Sequence, residues 1–355
     1  MADITLQNVT KRFGRITAVD QISFSIANGE FFVLLGPSGA GKTTTLRLIA
    51  GLEKQDSGSI LFNGEPVDTL APPERDIAFV FQQYSLYPTM SVYDNMAFPL
   101  RSPLRHTPEP EIKRRIEEVA EKLRIGHLLA RKTARLSGGE MQRVSIGRAI
   151  VRDPQIFLMD EPLSNLDAKL RETLRIELEH IQKTRGSTTL YVTHDQIEAL
   201  TMADRIAVLD SGRVIQIGTP HDIYDRPATT FVAQLVGTPR INLLEANCSD
   251  GALHVAGSTI KLPLPESRAA FPALLKLGVR PEDVAIRADG PFTGVIALVE
   301  PLGAETVMHI HLGERTLTST VPGIASRPIG STVHFDIARE RLHYFAADGA
   351  RMQTQ

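Results

Sequence analysis

Cysteine is nearly absent from this 355-residue chain, where Cys248 stands alone. One thiol excludes an internal disulfide framework and a multi-cysteine zinc site, and it fits a reducing compartment. Charge of one sign is lacking too. Lys and Arg number 39 against 41 Asp and Glu, for a net charge of −2, so no global basic field draws the chain to nucleic acid or to an anionic bilayer. No apolar run approaches the roughly 20 residues a membrane helix needs. The first residues, M-A-D-I-T-L-Q-N-V, have neither the basic start nor the apolar core of a signal peptide. These absences predict a cytoplasmic protein without a nucleic-acid partner, touching membranes only through another protein. Internal repeats and low-complexity tracts are missing as well. What is present is ordinary globular material, 42% hydrophobic and 23% charged, long enough for roughly two or three domains.

Two regimes divide the chain. Up to about Leu235, short apolar runs alternate with helical patterns. Phe31–Leu35 precedes a helix over Thr43–Ala50, Ile156–Met159 precedes Ala168–Thr184, and Leu190–Thr193 precedes Gln196–Met202. Strands apolar on both faces, interleaved with helices, predict a mainly parallel sheet covered on both sides. Ile112, Ile116, Val119 and Leu123 recur at helical spacing on a surface helix. The three prolines of R-S-P-L-R-H-T-P-E-P (101–110) predict an exposed loop. After Gly237 the period changes to two: Val333, Phe335 and Ile337 alternate with His334, Asp336 and Ala338. That predicts an all-β unit, with a boundary near Val236–Asn242. His309 and His311 share a strand face there, but no third ligand is evident, so a plain β surface is expected over a metal site.

Gly36–Thr43 reads G-P-S-G-A-G-K-T, which matches the phosphate-binding pattern G-x-x-x-x-G-K-[ST] between a buried strand and a helix. Gly39 and Gly41 let the backbone turn its N–H groups toward an anion, with Pro37, Ser38 and Ala40 at the remaining positions and Thr44 following. The helix start adds partial positive charge. Lys42 would reach the β- and γ-phosphates, and the Thr43 hydroxyl would ligate Mg²⁺. I-F-L-M-D-E (156–161) ends a buried strand in two carboxylates. Asp160 can hold Mg²⁺, and Glu161 can act as general base on an attacking water. L-S-G-G-E (136–140) opens a second helix. It is a candidate anion site, and Ser137 with Glu140 also forms a capping-box pattern.

With these residues the chain resembles the ATP-binding subunits of ABC transporters, above all those energising bacterial sugar importers. The resemblance covers essentially the whole chain. It implies an α/β P-loop ATPase domain over 1–235 with a helical subdomain at about 84–150, followed over 236–355 by an all-β, OB-like regulatory (TOBE-like) domain. It implies that two copies meet head to tail, each ATP held between the cradle of one subunit and the Ser137–Gly138–Gly139–Glu140 segment of the other. Gln82 matches the glutamine that senses Mg²⁺ and the attacking water; its neighbour Gln83 is the alternative, and spacing to Tyr84 favours Gln82. Asp167, in S-N-L-D, matches a loop crossing the dimer interface. His194 matches the histidine contacting the γ-phosphate, and Phe13 could stack on adenine. The implied partners are two integral-membrane permeases, docked around Tyr84–Met90 and Ser91–Phe98, and through them an external solute-binding protein. The expected activity is ATP hydrolysis driving import of a sugar or sugar derivative at the cytoplasmic membrane face. Another solute (glycerol phosphate, polyamine or an inorganic anion) is the runner-up. A non-transport ABC protein acting on DNA or ribosomes is disfavoured, because the chain has one ABC unit and neither a coiled coil nor a zinc-binding insertion.

Overall fold

The computed structural model describes residues 2–103, 107–264 and 271–352. Its contacts divide the chain into two compact units, Met1–Pro220 and His221–Gln355. The division falls after the first residue of the first of two short helices that precede the composition change near Val236.

The first unit has two sheets. β1 (Ile4–Phe13) and β2 (Ile16–Ile26) form a hairpin, followed by β3 (Phe31–Leu35), α1 (Lys42–Ala50), β4 (Ser57–Phe62) and β5 (Glu65–Pro66). β6 (Ile77–Val80), α2 (Val92–Ala97), α3 (Glu109–Lys122) and α4 (Gly138–Ile150) come next. β7 (Ile156–Asp160), α5 (Ala168–Arg185), β8 (Thr188–Thr193), α6 (Gln196–Met202), β9 (Arg205–Asp210) and β10 (Arg213–Gly218) complete it. The larger sheet runs β10-β9-β3-β8-β7-β6. It is parallel except for β10, which pairs antiparallel with β9. β3, β7 and β8 are buried at every position, the signature of a sheet covered on both faces. The expected parallel sheet is therefore present. An antiparallel sheet, β2-β1-β4-β5, accompanies it and shares its apolar core through Ile4, Leu6 and Ile60.

The expected loop over 101–110 needs correction. Leu104, Arg105 and His106 lie outside the described residues, but α3 begins at Glu109 with Pro108 as N-cap and Pro110 in its first turn. Proline is tolerated there because that N–H has no helical partner anyway. The buried stripe of α3 is Ile112, Ile116, Val119 and Ala120. At the far end of α1, Gly51 takes a left-handed φ of 72°. The Arg75 guanidinium fills the space beside it, Nη1 donating to the carbonyls of Leu48 (3.0 Å) and Ile49 (2.9 Å).

The second unit opens with α7 (Pro220–Asp225) and α8 (Thr230–Leu235). Ten strands follow: β11 (Asn242–Ser249), β12 (Ala252–Val255), β13 (Lys261–Pro263), β14 (Leu274–Val279), β15 (Val284–Ile286), β16 (Phe292–Pro301), β17 (Glu305–Leu312), β18 (Arg315–Pro322), β19 (Thr332–Ile337) and β20 (His343–Phe345). They form two antiparallel sheets, β13-β12-β11-β14-β20 and β15-β19-β16-β17-β18. Both contribute to one core containing Leu253, Leu277, Ile310 and Phe335. Period-two burial on β19 puts Val333, Phe335 and Ile337 inside, as the alternation requires. His309 Nε2 bonds Glu300 (2.8 Å) and His311 Nδ1 bonds Thr316 (3.0 Å), and no three potential metal ligands cluster among the described residues. Likewise, no described helix is long and apolar enough to cross a membrane.

Candidate nucleotide-binding and hydrolysis site

In an open parallel sheet, ligands bind outside the carboxyl ends of the strands. The strand order β3-β8-β7-β6 sets four loops side by side at that edge. β3 leads into the glycine-rich loop and Lys42. β8 ends at Thr193, directly before His194. β7 ends at Asp160, directly before Glu161. β6 is followed by Phe81 and Gln82. Residues up to 152 positions apart in sequence (42 and 194) thus converge.

Lys42 opens α1, with Gly41 as N-cap at φ 97° and no side chain capping the helix. A Cβ at Gly41 would stand 2.4 Å from the Ala18 carbonyl oxygen, so only glycine fits. The free amides at this helix start suit an anion. Lys42 is buried, and Nζ donates to the carbonyls of Gly36 (2.8 Å) and Pro37 (2.9 Å). Burial pulls its pKa down, against the pull of Glu161 and Asp160. Thr43 Oγ1 donates to Asp160 Oδ1 at 2.9 Å. Burial raises the Asp160 pKa, while the Thr43 hydrogen bond opposes the rise.

Glu161 is the hub. Oε2 lies 3.0 Å from His194 Nδ1 and 3.4 Å from Gln82 Nε2, and Oε1 lies 4.0 Å from Lys42 Nζ. Its backbone is left-handed at φ 45°, a costly conformation for a non-glycine residue that persists where the surroundings over-determine it. The restraints are visible. Its N–H donates to Val192 O at 3.0 Å, and its carbonyl accepts from Ser164 Oγ at 3.0 Å. Gln82, not Gln83, makes the side-chain bond to Glu161, and the Gln82 carbonyl accepts from Asn165 Nδ2 at 3.2 Å. Ser164 and Asn165 belong to the S-N-L-D segment expected to cross a dimer interface; their bonds to the Glu161 and Gln82 carbonyls are a support that the sequence reading did not foresee. Asp167 itself caps α5, accepting from Leu170 N at 3.0 Å.

A cavity of about 630 Å³ is lined by Ser38–Thr44, Gln82 and Glu161 together with Ile16, Thr17, Ala18 and Ser211; His194 and Asp160 do not line it. Phe13 does not line it. That ring is nearly half exposed, with Lys11 Nζ 5.0 Å from its centroid, and it pairs across the hairpin with Ile16, which does. None of Ser137, Gly138, Gly139 and Glu140 lines it either. Their helix start is closed on itself: Glu140 Oε2 accepts from the Ser137 N–H at 2.7 Å, and Ser137 Oγ accepts from the Glu140 N–H at 3.4 Å. A Cβ on Gly139 would stand 2.3 Å from Leu170 Cδ2, so part of the need for glycine there is packing within the chain.

A second cavity, about 980 Å³, is mostly apolar, with Asp76, Arg101 and Arg152 also in its lining. Leu52, Phe79, Phe81, Tyr87 and Phe98 line it. The Tyr87 and Phe98 rings stand 4.7 Å apart and are 40% and 47% exposed. The Tyr87 backbone is fixed by buried Asn95, which bonds both its N–H (2.9 Å) and its carbonyl (3.1 Å).

A P-loop strand-to-helix turn, two carboxylates ending the adjacent strand and a histidine on the next define a nucleotide-hydrolysing cassette with an all-β appendage. Comparison with known proteins narrows this. Residues 19–164 match the ABC transporter model and 277–345 the TOBE domain. The chain is 45% identical to the sn-glycerol-3-phosphate import ATP-binding protein of Psychromonas ingrahamii, over 99% of this chain and 95% of that one. It is also 45% identical to the trehalose/maltose import ATP-binding protein of Thermococcus litoralis, over 97% and 98%. A dimeric ATP-binding cassette solved in a post-hydrolysis state with ADP and Pi superposes with a TM-score of 0.56 at 32% identity, over 61% of this chain and 98% of that one. The chain belongs to the import ATP-binding proteins of ABC transporters, and it is an ATPase.

Proposed function

We propose that the chain works as a head-to-tail homodimer that closes on two ATP molecules, hydrolyses them with Glu161 as general base, and passes the motion to two membrane permeases. The observation that carries this reading is the convergence of Lys42, Gln82 and His194 on one carboxylate. In that role Lys42 leaves the Gly36 and Pro37 carbonyls for the phosphates. Gln82 and Glu161 orient the attacking water, and Glu161 takes its proton. His194, held on Glu161, faces the transferring group. Thr43 and Asp160 supply two hard oxygen donors 2.9 Å apart. Such a pair fits Mg²⁺, which takes few protein ligands beside phosphates and water. When bound, the ion neutralises charge developing on the β- and γ-phosphates. Moving a two-state equilibrium from 1:99 to 99:1 needs about 5.5 kcal/mol of differential binding, which two bridging triphosphates can provide.

The groove at Tyr87 and Phe98 supports docking of a short permease segment, as apolar grooves receive amphipathic helices. Association with the cytoplasmic membrane face follows from that contact. The solute is a sugar or sugar derivative. Relatives named for sn-glycerol-3-phosphate import make a phosphorylated glycerol the second reading, and stimulation of the reconstituted ATPase across both solute types distinguishes them. The direct test is Glu161→Gln. Turnover should fall about 10³-fold, within the range for loss of a general base, while ATP binding persists and light scattering reports a doubled mass. Turnover at the parental rate would remove Glu161 from the role.

A further inference from the structure

The loop carrying Gln82 is braced by the helix that begins at Gly138. Tyr84 and Ser85 both lie in the left-handed region, at φ 47° and 49°, and the Ser85 N–H donates to the Gln83 carbonyl in a tight turn. Two consecutive non-glycine residues in this region are costly and need outside support. The support comes from α4. Arg148 Nη1 donates to the Ser85 carbonyl at 2.8 Å and Nη2 to the Tyr84 carbonyl at 3.3 Å. Ser145 Oγ donates to the same Tyr84 carbonyl at 2.9 Å. The Tyr84 hydroxyl end reaches the start of α4, 3.2 Å from where a Cβ on Gly138 would stand. The guanidinium is also tied to the apolar groove. Its Cζ lies 5.6 Å from the Tyr87 ring centroid, and Arg148 lines a cavity of about 300 Å³ with Phe79, Phe81 and Phe98.

We propose that Arg148 is a positioning residue for Gln82, its planar fork holding the Tyr84–Ser85 turn so that the glutamine amide reaches Glu161. The inference rests on the role given to Gln82 above. The bond it protects is long, 3.4 Å from Gln82 Nε2 to Glu161 Oε2, so a small slip of the turn breaks it. A misplacement of about 1 Å at such a site can cost on the order of 100-fold in rate. Lysine replaces the fork only in part, because a single ammonium does not span two carbonyls in fixed geometry. Through Tyr87 the same residue links the glutamine to the wall of the groove.

The test is a double-mutant cycle on the ATPase of the purified full chain. Arg148→Ala should lower kcat by about 10-fold and leave KM for ATP within about 2-fold, since the cradle around Lys42 is untouched. Arg148→Lys should recover part of that loss. Gln82→Ala should cost a similar factor, and the double variant should be no slower than Gln82→Ala alone, as expected for residues acting in one chain of contacts. Additive losses, about 100-fold together, would mean that Arg148 acts elsewhere and would overturn the inference. Parental kcat in Gln82→Ala would instead overturn the role of Gln82 itself. Should Arg148→Ala lose its circular-dichroism signature, Ser145→Ala carries the test, with a smaller kcat loss that must also vanish in the Gln82→Ala background; additivity there overturns the inference equally.

Discussion

The two glycine-rich helix starts of this chain look alike in sequence and differ in structure. At α1 the helix begins on Gly41 with no side chain capping it, and the open amides face a cavity shared with Gln82 and Glu161. At α4 the helix begins on Ser137, and Ser137 with Glu140 satisfies the first amides reciprocally. The first leaves its amides open to that cavity within one chain, as the proposed phosphate site requires. The second is satisfied by its own side chains and lies outside that cavity, so its use as a phosphate site depends on a surface brought by another molecule. Glycine content alone does not separate these two cases; what occupies the helix cap does.

Substitutions at each start test this contrast. The largest effect is expected for Lys42→Ala, where turnover should fall at least about 10³-fold and MgATP affinity, read by titration calorimetry, at least about 10-fold. Ser137→Arg should lower turnover about 100-fold while leaving the affinity of the single chain for nucleotide within about 2-fold. If calorimetry showed affinity falling with turnover, the second helix start would serve its own chain's nucleotide, and the contrast would be lost.

Gly139→Ala separates packing from ligand approach. The added methyl meets Leu170, for a cost of about 1–2 kcal/mol by denaturant melt. Leu170→Ala in the same chain should restore stability relative to Leu170→Ala alone; turnover returning with it would assign Gly139 to packing only. The smallest effect on stability concerns Asp160. Burial raises its pKa above the ordinary carboxylate value, so the folded chain is penalised when Asp160 is charged. Asp160→Asn should therefore raise ligand-free stability on the order of 1 kcal/mol at pH 7. The gain should fade as pH falls through the raised pKa toward the unfolded value, and Mg²⁺-dependent turnover should be lost. Paired melts at pH 7 and pH 4 check the sign.

Local chemistry made the cradle legible. The spacing of Gly36, Lys42 and Thr43 is dictated by one strand-to-helix turn, and the buried run before Asp160 by a strand covered on both faces. Gln82 and His194 needed the resemblance, because their value lies in strand order, and nothing in a single apolar run says which strand lies beside which. The antiparallel β2-β1-β4-β5 sheet was missed for the opposite reason: β1 mixes buried and exposed positions around register shifts, so its alternation is blurred. The proline-rich stretch misled at Pro110, where a residue that breaks a helix interior sits harmlessly in a first turn. The four residues Ser137–Glu140 were read correctly as a helix start. The role proposed for them involves a second chain, so it is written neither in the order of residues nor in one folded copy.

Arg75 gives α1 a fastening at the end remote from its open N-terminal amides. Its guanidinium plugs the tail of the helix through the Leu48 and Ile49 carbonyls, in space that any side chain at Gly51 would take, since a Cβ there would stand 2.7 Å from Arg75 Nε. The short turn that carries Arg75 also supplies Pro72 and Pro73 to the edge of the apolar groove. The nine-residue helix is therefore held at both tips, by the glycine-rich turn at one and by the Arg75 guanidinium at the other, so the rim of the groove and the start of α1 belong to one fastened unit.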